Sequence, residues 1–407
     1  MTKLKVGSDF SGVGAFNQAL IRLGVDYEEI FACDMDKYAR QTFIHNYGEP
    51  KYFPMNVYDR EIPKEPLDIY MTSPPCQAFS LAGKRLGEKE ERGILFYNSL
   101  EFIQKNNPRY FIFENVKGLL SSDRGATFNK WIYLLGGKSI NGAPNILAEE
   151  NSVPYHIYWK VLNAKKHGVP QNRERVFIVG IRDDKDNSFV WPTEEVLIKR
   201  LKDVLEDNVD EKYYLSEKML ESITFANKGK IEIANINKGG QKGSVCSSDG
   251  SYIGCLSATD YKLPKLVQVK SATIKGYEEA TEGDSINFSV PNSETRRGRV
   301  GKQVAQTLDT ACNQGVICGA IRGRGDDNQQ QLELNSSDYT NSITTVQKDN
   351  VVVSNYQIRR LTPRECFRLM DFPDTFTWPV SSSQAYKQAG NSIVVNVLYK
   401  ILKNLIK

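Results

Sequence analysis

The sequence predicts an α/β architecture: a doubly wound, mostly parallel sheet, accompanied by a second, smaller β-rich domain. Three observations predict it. Short apolar runs alternate with stretches of helical periodicity through residues 1–190, and a glycine-containing turn follows the first of those runs. Near Trp191 and Pro192 the texture changes to short strand-like segments rich in Gly, Ser, Thr and Asn. Strands separated by helices require crossovers, which is the connection that parallel pairing needs.

Taken in order, "KLKVGSDF" (residues 3–10) reads as a strand and "SGVGAF" as a turn. "AFNQALIRLG" reads as a helix, with Phe16, Leu20, Ile21 and Leu23 near helical spacing and Gly24 ending it. "EEIFACDMD" (28–36) is a second strand with acids at its carboxyl end, and "KYARQTFIHNYG" a second helix. Further strands are expected at "LDIYMT" (67–72), "RYFIFEN" (109–115) and "ERVFIVGI" (174–181).

Composition narrows the class. The 407 residues are 25% charged and 40% hydrophobic with no apolar run of membrane-spanning length, so a soluble, cytoplasmic protein without a membrane partner is expected. The first strand begins almost at the N-terminus and leaves no room for a signal peptide. Seven scattered cysteines (33, 76, 246, 255, 312, 318 and 366) include no Cys-x-x-Cys pair, and only three histidines accompany them. Neither a disulfide framework nor a metal site is expected. A net charge of +4 does not by itself identify a nucleic-acid partner.

Two local features carry chemistry. The turn after the first strand holds Gly12-x-Gly14, less than a full dinucleotide fingerprint, and Asp34 follows about twenty residues later, a spacing suited to ribose hydroxyls. An adenosine-containing cofactor and a simple tight turn both fit. In "MTSPPCQAFS" (71–80), Cys76 follows two prolines that stop the strand and is followed by a polar, glycine-punctuated segment. Open α/β sheets keep their active sites at that end of a strand. A nucleophilic thiol and a packed cysteine in a turn are both compatible with this stretch.

Six motifs in order, "DFSGVGAF" (9–16), "SPPCQAFS" (73–80), "ENVKG" (114–118), "QNRERVF" (171–177), "RRLTPRECFRLMDFP" (359–373) and "QAGNSIVVNV" (388–397), resemble those of the bacterial and phage DNA cytosine-5 methyltransferases. The resemblance implies a Rossmann-like methyltransferase fold, S-adenosyl-L-methionine as cofactor and duplex DNA as substrate. It implies that Cys76 is the nucleophile that adds at cytosine C6. Glu114 is the group at N3 and the 4-amino group, and Arg175, supported by Arg173, lies at the base carbonyl and near the thiolate. Cofactor contacts are implied for Phe10, Ser11, Gly12, Gly14, Asp34, Met35, Asn56, Val57, Pro75, Asn391 and Ser392. This chain departs from the family in having Asp9 where an apolar residue is common, Ser8 where an acid is often found, and Asn56 where aspartate is frequent. The segment from Ser80 resembles the loop that closes over DNA, with Gln77, Ser80, Lys84, Arg85 and Arg92 as DNA contacts.

By the same likeness, residues 1–190 form the catalytic and cofactor domain, 191–380 the target-recognition domain, and 381–407 a segment returning to the catalytic domain. The apolar positions Cys366, Leu369 and Met370 are read as a helix packed in support of the second domain. Residues 225–325 hold 14 Lys and Arg against 9 Asp and Glu. Arg296, Arg297 and Arg299 in "ETRRGRVGKQ", then Lys302, Arg322 and Arg324, are the candidates for phosphate or guanine contacts. A weak repeat at 255–267, 306–318 and 342–353 reads as stacked hairpins of irregular spacing. A monomer is expected, and a cognate endonuclease is not legible. The competing reading is an RNA cytosine-5 methyltransferase, since the family has a tRNA-acting branch. The long middle domain argues for DNA.

Overall fold

The computed structural model describes residues 3–75, 91–185, 188–216, 233–234, 266–281, 283–291, 293–311, 313–318 and 357–406. Cys76, Gln77, Ser80, Lys84 and Arg85 lie outside them, as do the side chain of Arg92 and both Arg322 and Arg324. The first and third segments of the weak repeat fall mostly or wholly outside as well. The chain divides into two compact units: residues 1–198, 309–311 and 366–407 form one, residues 199–308 and 312–365 the other. The first division lies near the expected 190, but the return comes at Cys366 rather than 381.

In the first unit, β1 (Leu4–Asp9), β2 (Tyr27–Cys33), β3 (Ile69–Thr72) and β4 (Tyr110–Val116) pair in parallel in the order β2-β1-β3-β4. Beyond β4 the pairing is both antiparallel and parallel. β5 (Ser139–Ile140), β6 (Ala143–Pro144), β7 (Tyr155–Asn163) and β8 (Glu174–Arg182) complete an eight-stranded order β2-β1-β3-β4-β8-β7-β5-β6. β8 is antiparallel to both β4 and β7. The result is a mixed, doubly wound sheet, and β7 is a strand the apolar runs had not signalled.

Its helices are α1 (Ala15–Leu23), α2 (Lys37–Tyr47), α3 (Glu91–Asn106), α4 (Ala126–Leu135), α5 (Pro363–Leu369), α6 (Ser382–Asn391) and α7 (Val395–Leu405). Gly24 ends α1 in a left-handed conformation, and Asp36 caps α2 by accepting from the N–H groups of Tyr38 and Ala39. The acids expected at the end of the second strand are therefore a loop residue and a helix cap.

Phe31, Tyr70, Phe111 and Phe113 of the sheet share a core with Phe96, Phe102, Trp131 and Leu135 of α3 and α4. Phe96 stacks on Trp131 at 4.0 Å and Tyr70 on Phe102 at 4.1 Å, contacts that add to their area burial. The N-terminal α1 packs along the C-terminal α7, whose buried Val395, Leu398, Ile401, Leu402 and Leu405 follow helical spacing. Cys366 and Leu369, at the end of α5, and Met370 beyond it are buried in this first unit, not packed in support of the second as expected. No helix among the described residues is long and apolar enough to cross a membrane.

The second unit is β-rich. β9 (Ile233–Ala234), β10 (Leu266–Lys270) and β11 (Tyr277–Ala280) form an antiparallel sheet in the order β11-β10-β9. β12 (Ser285–Asn287), β13 (Val300–Gly301), β14 (Gln314–Cys318) and β15 (Gln357–Arg360) form a second, in the order β13-β12-β14-β15. Val267, Val269, Ala280, Ile286, Phe288, Ile317 and Ile358 make its core. One expected DNA contact is corrected here. Arg299 is 1% exposed and its guanidinium donates to the carbonyls of Asn287, Ser289, Val290 and Pro291 at 2.7–3.3 Å. Sequence composition could not separate this internal cation from its exposed neighbours.

Candidate active site

The carboxyl ends of β1, β2, β3 and β4 converge on one edge of the sheet, and hydrogen bonds tie their loops together. Ser11 N–H and hydroxyl both donate to Cys33 O at 3.0 Å, and Gly12 N–H donates to Asp34 Oδ2 at 2.8 Å. Asp36 N–H donates to the other oxygen, Oδ1, at 2.8 Å. Burial pushes the Asp34 carboxyl upward, against the pull of these two backbone donors. Each oxygen keeps a further acceptor site, so a ribose hydroxyl remains compatible with the residue, although its first task is to hold the turn.

Gly14 shows why the turn needs glycine. Its φ is +83°, and a Cβ there would come within 2.2 Å of the Tyr47 ring, whose hydroxyl donates to Gly14 O. Phe10 also adopts a left-handed conformation, at φ 57°, without being glycine. Backbone strain of this kind concentrates where a ligand must be met. Nothing lies within 4 Å of a Cβ built on Gly12, and Met35 beside the turn is 78% exposed. Backbone open to approach, an aromatic held in a strained conformation and an uncovered thioether fit a nucleoside cofactor.

Segment 52–57 joins the same edge. Ala32 N–H donates to Tyr52 O and Asp34 N–H to Pro54 O. Arg40 donates to the carbonyls of Phe53 and Pro54 while stacking 3.8 Å over the Phe53 ring. Val57 is buried and Asn56 exposed, its Oδ1 accepting from Tyr58 N–H. From the far end of the chain, Gln388 on α6 accepts from Thr42 of α2 and Lys387 pairs with Asp36. These contacts fasten α6, which ends at exposed Asn391 beside buried Ser392, to α2 and its cap.

Glu114 and Arg175 meet by strand register. Glu114 lies opposite Phe177 and Arg175 opposite Val116, so the two are diagonal neighbours on one face. Arg175 Nε is 3.1 Å from Glu114 Oε1. Burial nevertheless wins over the two arginines, and the Glu114 carboxyl is held above its ordinary range. Arg173 is 3% exposed and donates through Nη2 to Gly390 O (3.0 Å) and Ser392 O (2.8 Å). It therefore fastens β8 to the segment after α6.

Three supports were missed by the motif reading. Asn115 donates through Nδ2 to Pro74 O at 3.4 Å and accepts from Val116 N–H, tethering the chain two residues before Cys76. Pro75 is half-buried beside it. Asp9, the departure from the family pattern, is buried with Arg60 and Tyr70 as partners. Arg40 is the third, and only its position four residues after Asp36 on α2 hinted at it. Cys33, by contrast, is no rival nucleophile, because burial pushes its thiol up to about 12.

The family model for C-5 cytosine-specific DNA methylase matches residues 4–407. The chain is 33% identical to the orphan methyltransferase M.SPRI of Bacillus phage SPR, over 100% of this chain and 98% of that one. It is 29% identical to the type II methyltransferase M.HpaII of Haemophilus parainfluenzae, over 98% and 88%. The S. pombe Dnmt2 methyltransferase structure superposes with a TM-score of 0.55 at 17% identity, over 99% of this chain and 98% of that chain, a likeness of fold. The chain therefore belongs to the C-5 cytosine-specific DNA methylase family and is a DNA (cytosine-5-)-methyltransferase.

Proposed function

We propose that the protein methylates carbon 5 of a cytosine turned out of duplex DNA at one short sequence, through a covalent bond from Cys76 to C6. The observation that carries this reading is the pair of buried Glu114 and half-buried Arg175 at the carboxyl end of β4, with its carboxyl shifted upward. S-adenosyl-L-methionine, when bound, supplies an electrophilic methyl group. Phe10, Gly12, Gly14, Asp34, Met35, Val57 and the Asn391–Ser392 turn are the residues to hold it.

The chemistry follows from the base. Cytosine C5 is a poor nucleophile, so the Cys76 thiolate adds at C6 and moves an electron pair toward C5. Glu114, held toward its protonated form, donates to N3 and absorbs the charge that develops there. Arg175 orients Glu114 and offers its remaining donors to the base carbonyl, while Arg173, just before β8, fixes the strand that carries Arg175. After transfer, a base removes the C5 proton, the C6–S bond breaks, and the ring and thiolate are restored. In this reading Gln77, Ser80, Lys84, Arg85 and Arg92 contact the DNA, as do Arg296 and Arg297 of the second unit.

Base-resolution sequencing of random duplex DNA after incubation with protein and S-adenosylmethionine tests the reading. Protection of cytosine within one short motif is the expected result. Duplex containing 5-fluorocytosine should trap a covalent adduct with the wild type and none with Cys76→Ala. Methylation of RNA alone, or comparable turnover by Cys76→Ala, would sink it.

A further inference from the structure

Val290 in the second unit is strained and uncovered at once. Its φ is 50°, a left-handed conformation that β-branched residues rarely adopt, and its side chain is 64% exposed, so packing does not offset the strain. The grip comes from beneath. Arg299 is buried and binds the carbonyls on both sides, its Nη2 meeting Val290 O at 2.7 Å and Pro291 O at 3.2 Å. Glu278 accepts from the consecutive N–H groups of Gly298 (2.8 Å), Arg299 (2.5 Å) and Val300 (3.0 Å). A buried cation thus binds one limb of the segment's carbonyls, and a carboxylate binds the other limb's amides.

A neighbouring turn is locked to the same segment. Ala272 N–H donates to Arg296 O at 2.8 Å, and Arg297 Nε donates to Ala272 O at 2.9 Å. Ile274, in that turn, is fully exposed, and Lys275 next to it is exposed as well. The braced segment and the turn tied to it therefore carry two exposed aliphatic side chains, Val290 and Ile274, and the cations Lys275, Arg296 and Arg297. Glu294 is the acid exposed on the same segment, while Glu278 is engaged by the backbone.

We infer that this surface reads base edges in the major groove, with Val290 and Ile274 against thymine methyl groups and Arg296 on a guanine, and with Arg299 and Glu278 as positioning residues. The chemistry matches that groove, where arginine pairs with guanine and aliphatic groups meet the thymine methyl, and lysine neutralises phosphate. The inference rests on the duplex substrate proposed above and adds which residues choose its sequence.

The test compares wild type with Val290→Gly, Ile274→Ala, Arg296→Gln and Lys275→Gln on duplexes differing from the methylated motif by single base pairs. Glycine relieves the φ of Val290, so Val290→Gly should keep or raise Tm and still lose discrimination at an A·T position by about tenfold. Ile274→Ala should do likewise, and Arg296→Gln should relax a G·C position. Lys275→Gln should weaken binding at every sequence alike and reduce the salt slope by about one. If the first three variants keep the wild-type ratios among near-cognate sites, the surface is not the reader, and the methylation reading stands without it. If the wild type methylates no duplex, both fall.

Discussion

Arg60 Nε lies 2.8 Å from Asp9 Oδ1, with both side chains buried, and the Tyr70 hydroxyl donates to the other Asp9 oxygen at 2.6 Å. The guanidinium also sits 4.6 Å from the Phe102 ring centroid. The acid that replaces an apolar residue just before Phe10 therefore comes with its own counter-ion, drawn from the segment after Asn56 and Val57. Two stretches proposed to hold the cofactor are joined by one internal ion pair.

Removing one partner of such a pair leaves a buried charge uncompensated. Asp9→Leu should cost about 3–5 kcal/mol, whereas Asp9→Leu with Arg60→Met should recover most of it. Denaturant unfolding of the single and double variants decides the matter. A double variant whose loss equals the sum of the separate Asp9→Leu and Arg60→Met losses would mean that the two side chains are not coupled. Both variants should also weaken S-adenosylhomocysteine binding, read by calorimetry, because the backbone leading into Phe10 is no longer fixed.

In the proposed mechanism, the raised carboxyl of Glu114 gives the reaction a basic limb. A step that uses the protonated acid is lost as pH rises through that raised pKa, and Arg175, which pulls the pKa down, sets where the limb falls. Glu114→Gln should abolish the limb and lower kcat by about 10²–10⁴-fold. Arg175→Met should move the limb to higher pH. A kcat profile that stays in place in Arg175→Met would show that the pair does not govern the proton.

Arg173 offers a stability and binding readout together. Arg173→Lys loses the geometry that lets one guanidinium nitrogen serve the carbonyls of Gly390 and Ser392, at a cost of about 1.5–3 kcal/mol. KM for the methyl donor should rise more than KM for DNA. A change confined to Tm would assign the residue to folding alone.

Glu29 on β2 carries a separate pH dependence. Burial pushes its carboxyl up to about 7, and Asn17 Nδ2 donates to it at 3.0 Å. The folded state then holds a proton that the unfolded chain releases near the ordinary glutamate value. The stability Glu29 contributes is complete below about pH 4.5 and is lost as pH rises through about 7. Glu29→Gln should flatten that slope and stabilise the protein at pH 8 by on the order of 1–3 kcal/mol. The new amide can also donate to Asn17 Oδ1, which is buried without a partner. Tm measured from pH 5 to 8 for both proteins is the check.

Much of the first unit was legible because its signals are local. The apolar runs at 67–72, 109–115 and 174–181 and the glycine turn before α1 each depend on neighbours a few residues away. Strand direction is not local. β8 reads like any buried strand, and only its pairing with β4 and β7 makes the sheet mixed. The Asp9–Arg60 contact spans 51 positions of sequence, and nothing near either residue announces it. In the second unit, charge counting located a basic stretch but could not tell that Arg299 points inward. Asn115 was quoted within a motif, yet its bond to Pro74 depends on β3 and β4 lying side by side.

The dependence of Arg173 on carbonyls at 390 and 392, and of α1 on α7, also bears on synthesis. Translation delivers Glu114 and Arg175 long before residues 382–405, so a nascent chain paused anywhere in the second unit holds the proton donor without the clasp that positions it. In the proposed mechanism, such a chain holds no assembled site until α6 and α7 have been made. A nonsense product ending before Ser382 should therefore lack methylation activity.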